Sequence, residues 1–183
     1  MDQGLIPRRY AKALYEVGEE RHDNDVLYTL MERLCSTFAD TPGLGATVSN
    51  PFVSNADKSS LLTKAVYGAS DQTPDRTYED FLRLLEKYDR MSMVREIALA
   101  FVNLYRMKHS IYRVKICSAA PIDNDGRKRL EAIVARHIGN GTMEYEYSVD
   151  PSLIGGFTVT VNSERLDASV SNELKQLRLS LIK

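Results

Sequence analysis

The chain contains few residues whose types and spacing could carry out chemistry. Two pairs of carboxylates stand two residues apart, Asp123 with Asp125 and Glu144 with Glu146, and such pairs can act as general acid and general base. The first pair falls at the predicted start of a helix, where acidic groups complement the helix dipole, and the second lies on the polar side of a predicted strand. Solvated surface charge is the better interpretation of both pairs, so the sequence predicts no catalytic residue.

The cysteines, histidines and glycines also lack the spacing of a reactive or metal-binding site. Cys35 and Cys117 stand alone in dissimilar segments, without a second cysteine or a histidine at metal-ligand spacing. No Gly-Lys pair is available for a phosphate-binding loop, and no serine or cysteine is placed convincingly beside a histidine. The histidines, which fall at predicted helix ends or in loops, are His22, His109 and His137. We therefore predict two reduced thiols, no metal site and no cofactor.

Composition argues against nucleic acid and membrane as direct partners. The 24 basic and 25 acidic side chains are interspersed along the chain, whereas a nucleic-acid-binding protein concentrates its Lys and Arg on one face or element. The longest clear apolar run, Ile97 to Val102, is far shorter than the roughly 20 residues that span a bilayer. Acidic residues also come early, at Glu16, Glu19 and Glu20, unlike a signal or transit segment. The sequence predicts a protein of a bacterial-type cytoplasm with no direct membrane insertion.

From Pro7 to about Ser110 the apolar residues recur at helical spacing between breakers, which predicts a series of helices. The apolar row of the second helix is Leu27, Leu30, Met31, Leu34 and Phe38, and one row of the last is Val94, Ala98, Phe101 and Tyr105. Two capping-box spacings, Ser54 with Asp57 and Thr77 with Asp80, predict helix starts near Asn55 and Tyr78. Gly68 is expected to end the first of these helices, and Ser92 to cap the last one.

The first helix offers two surfaces. Tyr10, Ala13, Leu14 and Val17 form the expected core stripe, and Gly18 with the charged residues after it is expected to end the helix. Ala11, Tyr15 and Gly18 lie beside that stripe and leave a shallow surface on which another helix could lie. Close packing within a helical bundle is an equally good interpretation of those three residues.

After Ser110 the helical period gives way to alternation, which predicts strands with one polar face. The predicted strands are Tyr112–Ile116, Thr142–Val149 and Phe157–Val161. A helix begins at Pro121-Ile122-Asp123, carries Leu130, Ile133, Val134 and Ile138 on its apolar side, and ends at Gly139. A turn at Asn162-Ser163-Glu164 leads towards a final helix capped by Ser169.

The predicted fold class is α+β, with an N-terminal six-helix bundle followed by a small mixed α/β domain. The change of period places the domain boundary after Ser110, which divides the chain into residues 1–110 and 111–183. Neither part contains an internal repeat or a low-complexity tract.

The segment from Asp150 to Asp167 is the most specific part of the sequence. In it, Leu153-Ile154-Gly155-Gly156-Phe157 leads into a strand and then to Leu166-Asp167, and the two glycines are expected to have a backbone role only because they lack a Cβ. Further motifs precede it: Arg9-Tyr10-Ala11-Lys12-Ala13-Leu14, Asn50-Pro51 with Lys58, and Leu84-Leu85 with Arg90. In order and spacing, over nearly all of the chain, these motifs resemble the delta subunit of F-type ATP synthases, called the oligomycin-sensitivity-conferring subunit in mitochondria.

The resemblance implies a stator protein rather than an enzyme. In that family the N-terminal helix of an alpha subunit lies in a groove between the first and fifth helices, and the C-terminal half holds the b subunits of the peripheral stalk. The groove residues expected here are Tyr10, Ala11, Ala13, Phe81, Leu84 and Leu85. The b-subunit-binding residues expected on the final helix are Leu174, Leu177 and Leu181, in a row that begins at Val170. The implied location is peripheral, on the cytoplasmic side of a bacterial inner membrane, as part of the complex.

Two other classes of function stay open on the sequence. One is a nucleic-acid-binding helical bundle, whose affinity would have to depend on salt because phosphate contacts release counterions. The other is a small enzyme that holds a phosphate at the Gly155-Gly156 turn.

Overall fold

Helices occupy the first part of the chain, and a four-stranded mixed sheet with its crossover helix occupies the second, which is the α+β class that the sequence predicts. The computed structural model describes residues 4–68, 75–162, 164–172 and 174. The chain divides into two compact units with the boundary between Tyr105 and Arg106. None of the helices in the described ranges is long and apolar enough to cross a bilayer.

Six α-helices precede the first strand in the part of the chain that the structure describes. They are α1 (Leu5–Arg21), α2 (Asn24–Asp40), α3 (Pro42–Ser49), α4 (Asn55–Tyr67), α5 (Arg76–Lys87) and α6 (Val94–Lys108), and a 3₁₀ turn at Met91–Met93 precedes α6. The predicted cap of α4 is confirmed, because the amide N–H of Asp57 donates to Ser54 Oγ at 3.1 Å. Gly68 ends α4 at a φ of 68°, also as predicted.

The start of α5 differs from the prediction. Asp75 is the N-cap, since its Oδ1 accepts hydrogen bonds from the amides of Thr77 and Tyr78 at 2.9 and 3.1 Å. Thr77 lies inside the helix with 1% of its surface exposed, and its hydroxyl donates to Asp23 Oδ2 at 2.6 Å. A tertiary partner therefore uses the hydroxyl that the capping-box pattern assigns to the helix start. Ser92, the other predicted cap, lies within the 3₁₀ turn.

Gly18 does not end α1, and the helix continues beyond it to a C-cap at His22 with a φ of 60°. The glycine is buried because α2 passes close to it: a Cβ here would lie 2.1 Å from Asn24 Oδ1 and 2.9 Å from Leu27 Cδ1. The side-chain amide of Asn24 in turn donates to the carbonyl oxygen of Tyr15 at 3.2 Å. Gly18 is thus required for the close approach of two helices rather than for a turn.

The core of the first unit contains the apolar rows predicted for α2 and α6. The buried residues of α2 are Leu27, Leu30, Met31, Leu34 and Phe38. Those of α6 are Val94, Ile97, Ala98, Phe101, Val102 and Tyr105. Full burial of a large apolar side chain contributes roughly 1.5–3 kcal/mol, so these rows account for much of the stability of the unit.

The second unit is a sheet in the order β2-β1-β3-β4. Its elements are β1 (Ile111–Ser118), α7 (Asn124–Ile138), β2 (Thr142–Val149), a 3₁₀ turn (Pro151–Leu153), β3 (Gly156–Val161) and β4 (Glu164–Ser169). β1 and β2 are parallel and α7 connects them, whereas β3 runs antiparallel to both β1 and β4. The three predicted strands and the predicted helix are confirmed.

The strand β4 is missing from the sequence prediction, which had only a turn at this point. Its pairing begins with Val161 opposite Glu164, and Asn162 makes the tight connection at a φ of 53°. β4 is an edge strand, and most of its side chains are exposed. Charged residues such as Arg165 and Asp167 protect a free edge from pairing with other chains, and they also hide the strand from a hydrophobicity pattern. The predicted cap at Ser169 is confirmed, since its Oγ accepts from the amide of Asn172 at 3.2 Å.

One face of the sheet packs on α7. The buried residues of this core are Val114, Ile116, Leu130, Val134 and Val159. Ile133, predicted to lie on the same side of α7, is wrong as a core residue because 61% of its surface is exposed. It is next to Val134 in sequence, and only one of two adjacent helical residues can point directly at the sheet.

Candidate partner-binding surfaces

A hydrogen-bonded joint connects the C-terminal end of α1 to the N-terminal end of α5. One guanidinium nitrogen of Arg21 donates to Thr77 Oγ1 and to Asp80 Oδ2, both at 3.0 Å. The side chains of Arg21 and Asp80 are 40% and 42% exposed, so this ion pair contributes little stability by itself. The ion pair instead identifies the side of α1 that lies beside α5.

The residues of α1 that continue from this joint are Val17, Ala13 and Tyr10. Each lies three or four residues before the last, so the three belong to the same side of the helix as Arg21. Val17 is 36% exposed, Ala13 is exposed and Tyr10 is half-buried. The predicted core stripe is therefore wrong for these three residues, which lie at the surface.

The core side of α1 consists of smaller residues than the prediction assumed. Ala11 is 1% exposed, Leu14 6% and Tyr15 5%, and Gly18 is also buried. The interpretation of Ala11, Tyr15 and Gly18 as an open surface is wrong, and their close packing inside the unit is the interpretation that holds. Small side chains let the neighbouring helix approach, which buries more surface than a row of larger ones placed farther apart.

The residues of α5 divide in the same way. Phe81 is 4% exposed and Leu85 is fully buried. In contrast, Leu84 is 41% exposed, and Tyr88, directly after the helix, is 55% exposed. Leu84 and Tyr88 follow Asp80 at spacings of four, so they continue from the joint along one side. Ala11, Phe81 and Leu85, also expected at the partner-binding groove, are buried in the first unit.

We call the exposed set the α1–α5 surface. It consists of Tyr10, Ala13 and Val17 on α1 with Leu84 and Tyr88 on α5. Sequence reasoning missed Val17 and Tyr88, although the helical spacing from Ala13 and Leu84 could have identified both. Two short exposed apolar rows that start from one joint can receive the apolar side of an amphipathic helix.

The strongly perturbed groups of the first unit are tyrosines with structural roles. Burial raises the pKa of Tyr105 well above its usual value, and the nearby Asp25 carboxylate raises it further. The Tyr105 hydroxyl donates to Asp25 Oδ1 at 2.5 Å, and its ring stacks on Tyr28 with centroids 4.2 Å apart. Burial likewise raises the pKa of Tyr78. Both phenols stay protonated donors at neutral pH, so neither is an activated nucleophile.

Within the described ranges, no three histidine, cysteine or acidic side chains are grouped so that they could hold a metal ion. Cys35 and Cys117 are both half-buried thiols.

The Gly155-Gly156 turn of the second unit is not symmetrical. Gly156 has a φ of 78°, and a Cβ there would lie 2.2 Å from the carbonyl oxygen of Ala168 in β4. Gly155 has no positive φ, and a Cβ there would meet Val170 Cγ2 at 3.0 Å. The second left-handed residue of this turn is Ile154, with a φ of 65°, which is a rare conformation for a β-branched residue.

A second exposed apolar set lies around this turn. Ile154 is 71% exposed, Val170 38% and Leu174 52%, and the amide of Val170 donates to the carbonyl oxygen of Gly155 at 3.0 Å. We call these three residues the Ile154–Leu174 surface. Of the predicted b-subunit-binding residues, Leu174 is at the surface, while Leu177 and Leu181 lie outside the described residues.

Sequence comparison covers almost the whole chain. The family model described as "ATP synthase delta (OSCP) subunit" matches residues 6–181. A curated protein of Bacteroides fragilis named ATP synthase subunit delta is 36% identical over 182 residues, which cover 100% of this chain and 96% of that protein. A protein of the same name from Streptococcus pyogenes is 29% identical over 180 residues, with 98% and 97% coverage.

Structural comparison gives a similar fold in a distant chain. A chain from the cryo-electron microscopy structure of the Toxoplasma gondii mitochondrial ATP synthase hexamer matches with a TM-score of 0.73. The match covers 97% of this chain and 98% of that one, at 19% sequence identity. At this identity the likeness concerns the fold alone.

Proposed function

Since the chain belongs to the ATP synthase delta (OSCP) subunit family, we propose that it is the non-catalytic stator subunit that joins the catalytic head of an F-type ATP synthase to its peripheral stalk. The family match over residues 6–181 carries this proposal, because it includes both units. The rotor of a proton-driven ATP synthase would turn the head with it unless a link held the head stationary. Tight binding is then the whole activity, and a joint of nanomolar affinity corresponds to about −12 kcal/mol.

We assign one partner to each half of the chain. The helices α1–α6 act as one bundle over residues 1–110 and bind the alpha-subunit N-terminus, whereas residues 111–183 form a second domain that binds the b subunits. The change from helices to a sheet between Lys108 and Ile111 supports this division. Two separate domains allow each partner to be bound without altering the other site.

The alpha-subunit helix would lie on the α1–α5 surface. Tyr10, Ala13 and Leu84 of the six expected residues contact it, joined by Val17 and Tyr88, and the buried Ala11, Phe81 and Leu85 support these positions from within. Ala13 supports the proposal because a small exposed side chain between larger ones leaves room for a side chain of the partner.

The b-subunit segment would lie on the Ile154–Leu174 surface, and Leu177 and Leu181, outside the described residues, stay predicted contacts of the same segment. The exposure of Ile154 and Leu174 supports this placement. The protein itself would be peripheral, on the cytoplasmic side of the inner membrane, held there by its partners.

Reconstitution tests the function directly. Membrane vesicles that carry the ATP synthase but lack this subunit should recover proton-driven ATP synthesis when the purified chain is added. We expect Ala13→Asp and Leu174→Asp each to prevent recovery, while binding of the other partner is retained.

Ala46→Asp is the matched control, because Ala46 is exposed on α3, away from both surfaces in sequence. It should restore synthesis like the unchanged chain. If the unchanged chain restored nothing, the stator function would be refuted. The nucleic-acid-binding alternative receives no support from the family match.

A further inference from the structure

The charges of α1 are ordered along its axis in the direction opposite to that which stabilises a helix. The exposed side chains of its first half are basic, at Arg8, Arg9 and Lys12, and its first turn contains no acidic residue. Those of its second half are acidic, at Glu16, Glu19 and Glu20, up to the terminal Arg21, which is engaged in the joint with α5. A helix dipole is positive at the N-terminus and negative at the C-terminus, so both sets of charges oppose it.

The ion pair within α1 has the same reversed order. Lys12 Nζ lies 3.7 Å from Glu16 Oε1, and a lysine four residues before a glutamate is the less favourable of the two orientations. Neither helix propensity nor the core explains this arrangement, since the side chains are 73% and 60% exposed. Violations of a local rule without a local benefit are expected where residues contact a partner.

The charges of α5 do not repeat this order. The helix begins with the basic Arg76, continues with Glu79 and Asp80, and ends with Glu86 next to Lys87, so its charges are mixed in sign. The charge order is therefore a property of α1.

Two charges of α1 flank the α1–α5 surface directly. Arg9 precedes Ala13 by four residues and Glu16 follows it by three, so both lie on the exposed side of α1 that contains Ala13. They are about 10 Å apart along the axis, which is the length of two turns of a bound helix. Glu20 extends the acidic side beyond Val17 in the same way.

We propose that this ordered charge selects the partner helix and fixes its direction. The inference rests on the proposed function, in which an amphipathic helix occupies the α1–α5 surface. The occupant is a helix whose acidic half lies over Arg9 and whose basic half lies over Glu16 and Glu20. An apolar ridge alone could bind a helix in either direction, whereas an ordered row of charges distinguishes the two directions. A polyanion is not suited to the surface, because the acidic half would repel it.

Two synthetic amphipathic peptides test the inference. Both have the same composition and the same apolar positions, but one separates its acidic and basic residues into halves and the other alternates them. Calorimetric titration at low salt should give at least fivefold tighter binding of the separated peptide. The difference should shrink at 0.5 M salt, because exposed charges are screened. Equal affinities, or no binding of either peptide, would overturn the inference.

A charge exchange in the protein makes the test specific. Arg9→Glu combined with Glu16→Arg preserves composition and net charge, and it agrees better with the helix dipole. The variant should melt at the same or a higher temperature, yet lose the fivefold preference. Arg95→Glu combined with Glu96→Arg is the control, because both residues are exposed on α6 and this exchange also preserves composition and net charge, so it should keep the preference.

Retention of the preference by the exchanged variant would contradict the inference even if the peptides bind. The stator function is judged separately, by the recovery of ATP synthesis with the unchanged chain. If the unchanged chain restored ATP synthesis but showed no preference between the two peptides, the stator function would be supported and the selection of the partner by charge would be refuted.

Discussion

The two apolar surfaces differ in the backbone that carries them. The α1–α5 surface stands on two ordinary helices, and its exposed side chains project from the outer sides of a well-buried core. The Ile154–Leu174 surface includes a β-branched residue at a φ of 65°, two residues before a glycine at 78°. Side chains of the first surface can therefore be changed with little effect on the fold. At the second surface, binding and backbone stability are coupled.

The largest expected contrast lies within α1. Ala11→Asp would place a carboxylate in a site that is 1% exposed, with a cost above about 3 kcal/mol, because a buried charge without a partner is strongly destabilising. Ala13→Asp, two residues later and exposed, should change the free energy of unfolding by less than about 0.5 kcal/mol. It should nevertheless weaken binding of an alpha-subunit N-terminal peptide at least tenfold, or about 1.4 kcal/mol.

Circular dichroism during urea unfolding gives the stabilities, and calorimetry gives the affinities. A folded Ala13→Asp protein that binds the peptide like the unchanged chain would refute the placement of the alpha helix. A fully stable Ala11→Asp protein would show that the two sides of α1 have been assigned the wrong way round.

The two adjacent glycines of the second unit should respond differently. Gly156→Ala should lower the free energy of unfolding by roughly 1–3 kcal/mol, because the residue has a positive φ and its new Cβ would press on the Ala168 carbonyl. Gly155→Ala should cost less, since the residue has no positive φ and its new Cβ would meet only a methyl group of Val170, at 3.0 Å. Thermal and urea unfolding of both variants measure the difference, and equal losses would argue against a special role of Gly156.

Ile154 provides the clearest test of coupling between binding and stability. Ile154→Gly should raise the free energy of unfolding by roughly 1 kcal/mol, since glycine adopts a positive φ without strain. The same change should weaken binding of a purified b-subunit fragment, because the exposed side chain is lost. Ile133→Gly is the control: it removes another exposed isoleucine, with 61% of its surface exposed, from a helix and should destabilise the protein. A less stable Ile154→Gly variant would mean that the side chain supports the fold.

The smallest expected effect is a pH dependence on the polar face of the sheet. The Lys115 ammonium, 3.2 Å from the Glu146 carboxylate, and then the Arg113 guanidinium lower the pKa of Glu146. A carboxyl whose folded pKa is lowered contributes stability above its unfolded pKa and loses it as the pH falls. Glu146→Gln should therefore be slightly less stable than the unchanged chain at pH 7, and the difference should vanish near pH 2.

Melting temperatures of the two proteins across this range measure the effect. The side chains of Lys115 and Glu146 are about half exposed, so the difference should be small and should decrease in high salt. A difference that increased on acidification would contradict the sign.

Helix and strand boundaries were largely predictable because they depend on neighbours in the sequence. Ser54 with Asp57 identified the start of α4, and the alternation from Thr142 to Val149 matched β2. The errors of the sequence prediction occur where a residue that is distant in the sequence determines the local structure. Thr77 fits a capping box, but Asp23 engages its hydroxyl and Asp75 caps the helix instead. The edge strand β4 forms because it pairs with β3. Its charged side chains do not give the alternating pattern from which a strand is predicted.

Helical and strand periods, caps and motifs are local properties, so the sequence alone predicted the class of fold, the order of the elements as far as β3 and the resemblance to a stator family. Which side of α1 faces the core depends instead on tertiary contacts. The apolar residues of α1 cover a broad arc, and the close passage of α2 over Gly18 selects the side with Ala11. The same is true of Gly155 and Gly156, which are alike in sequence. Their difference arises because β4 places a carbonyl oxygen against Gly156 alone.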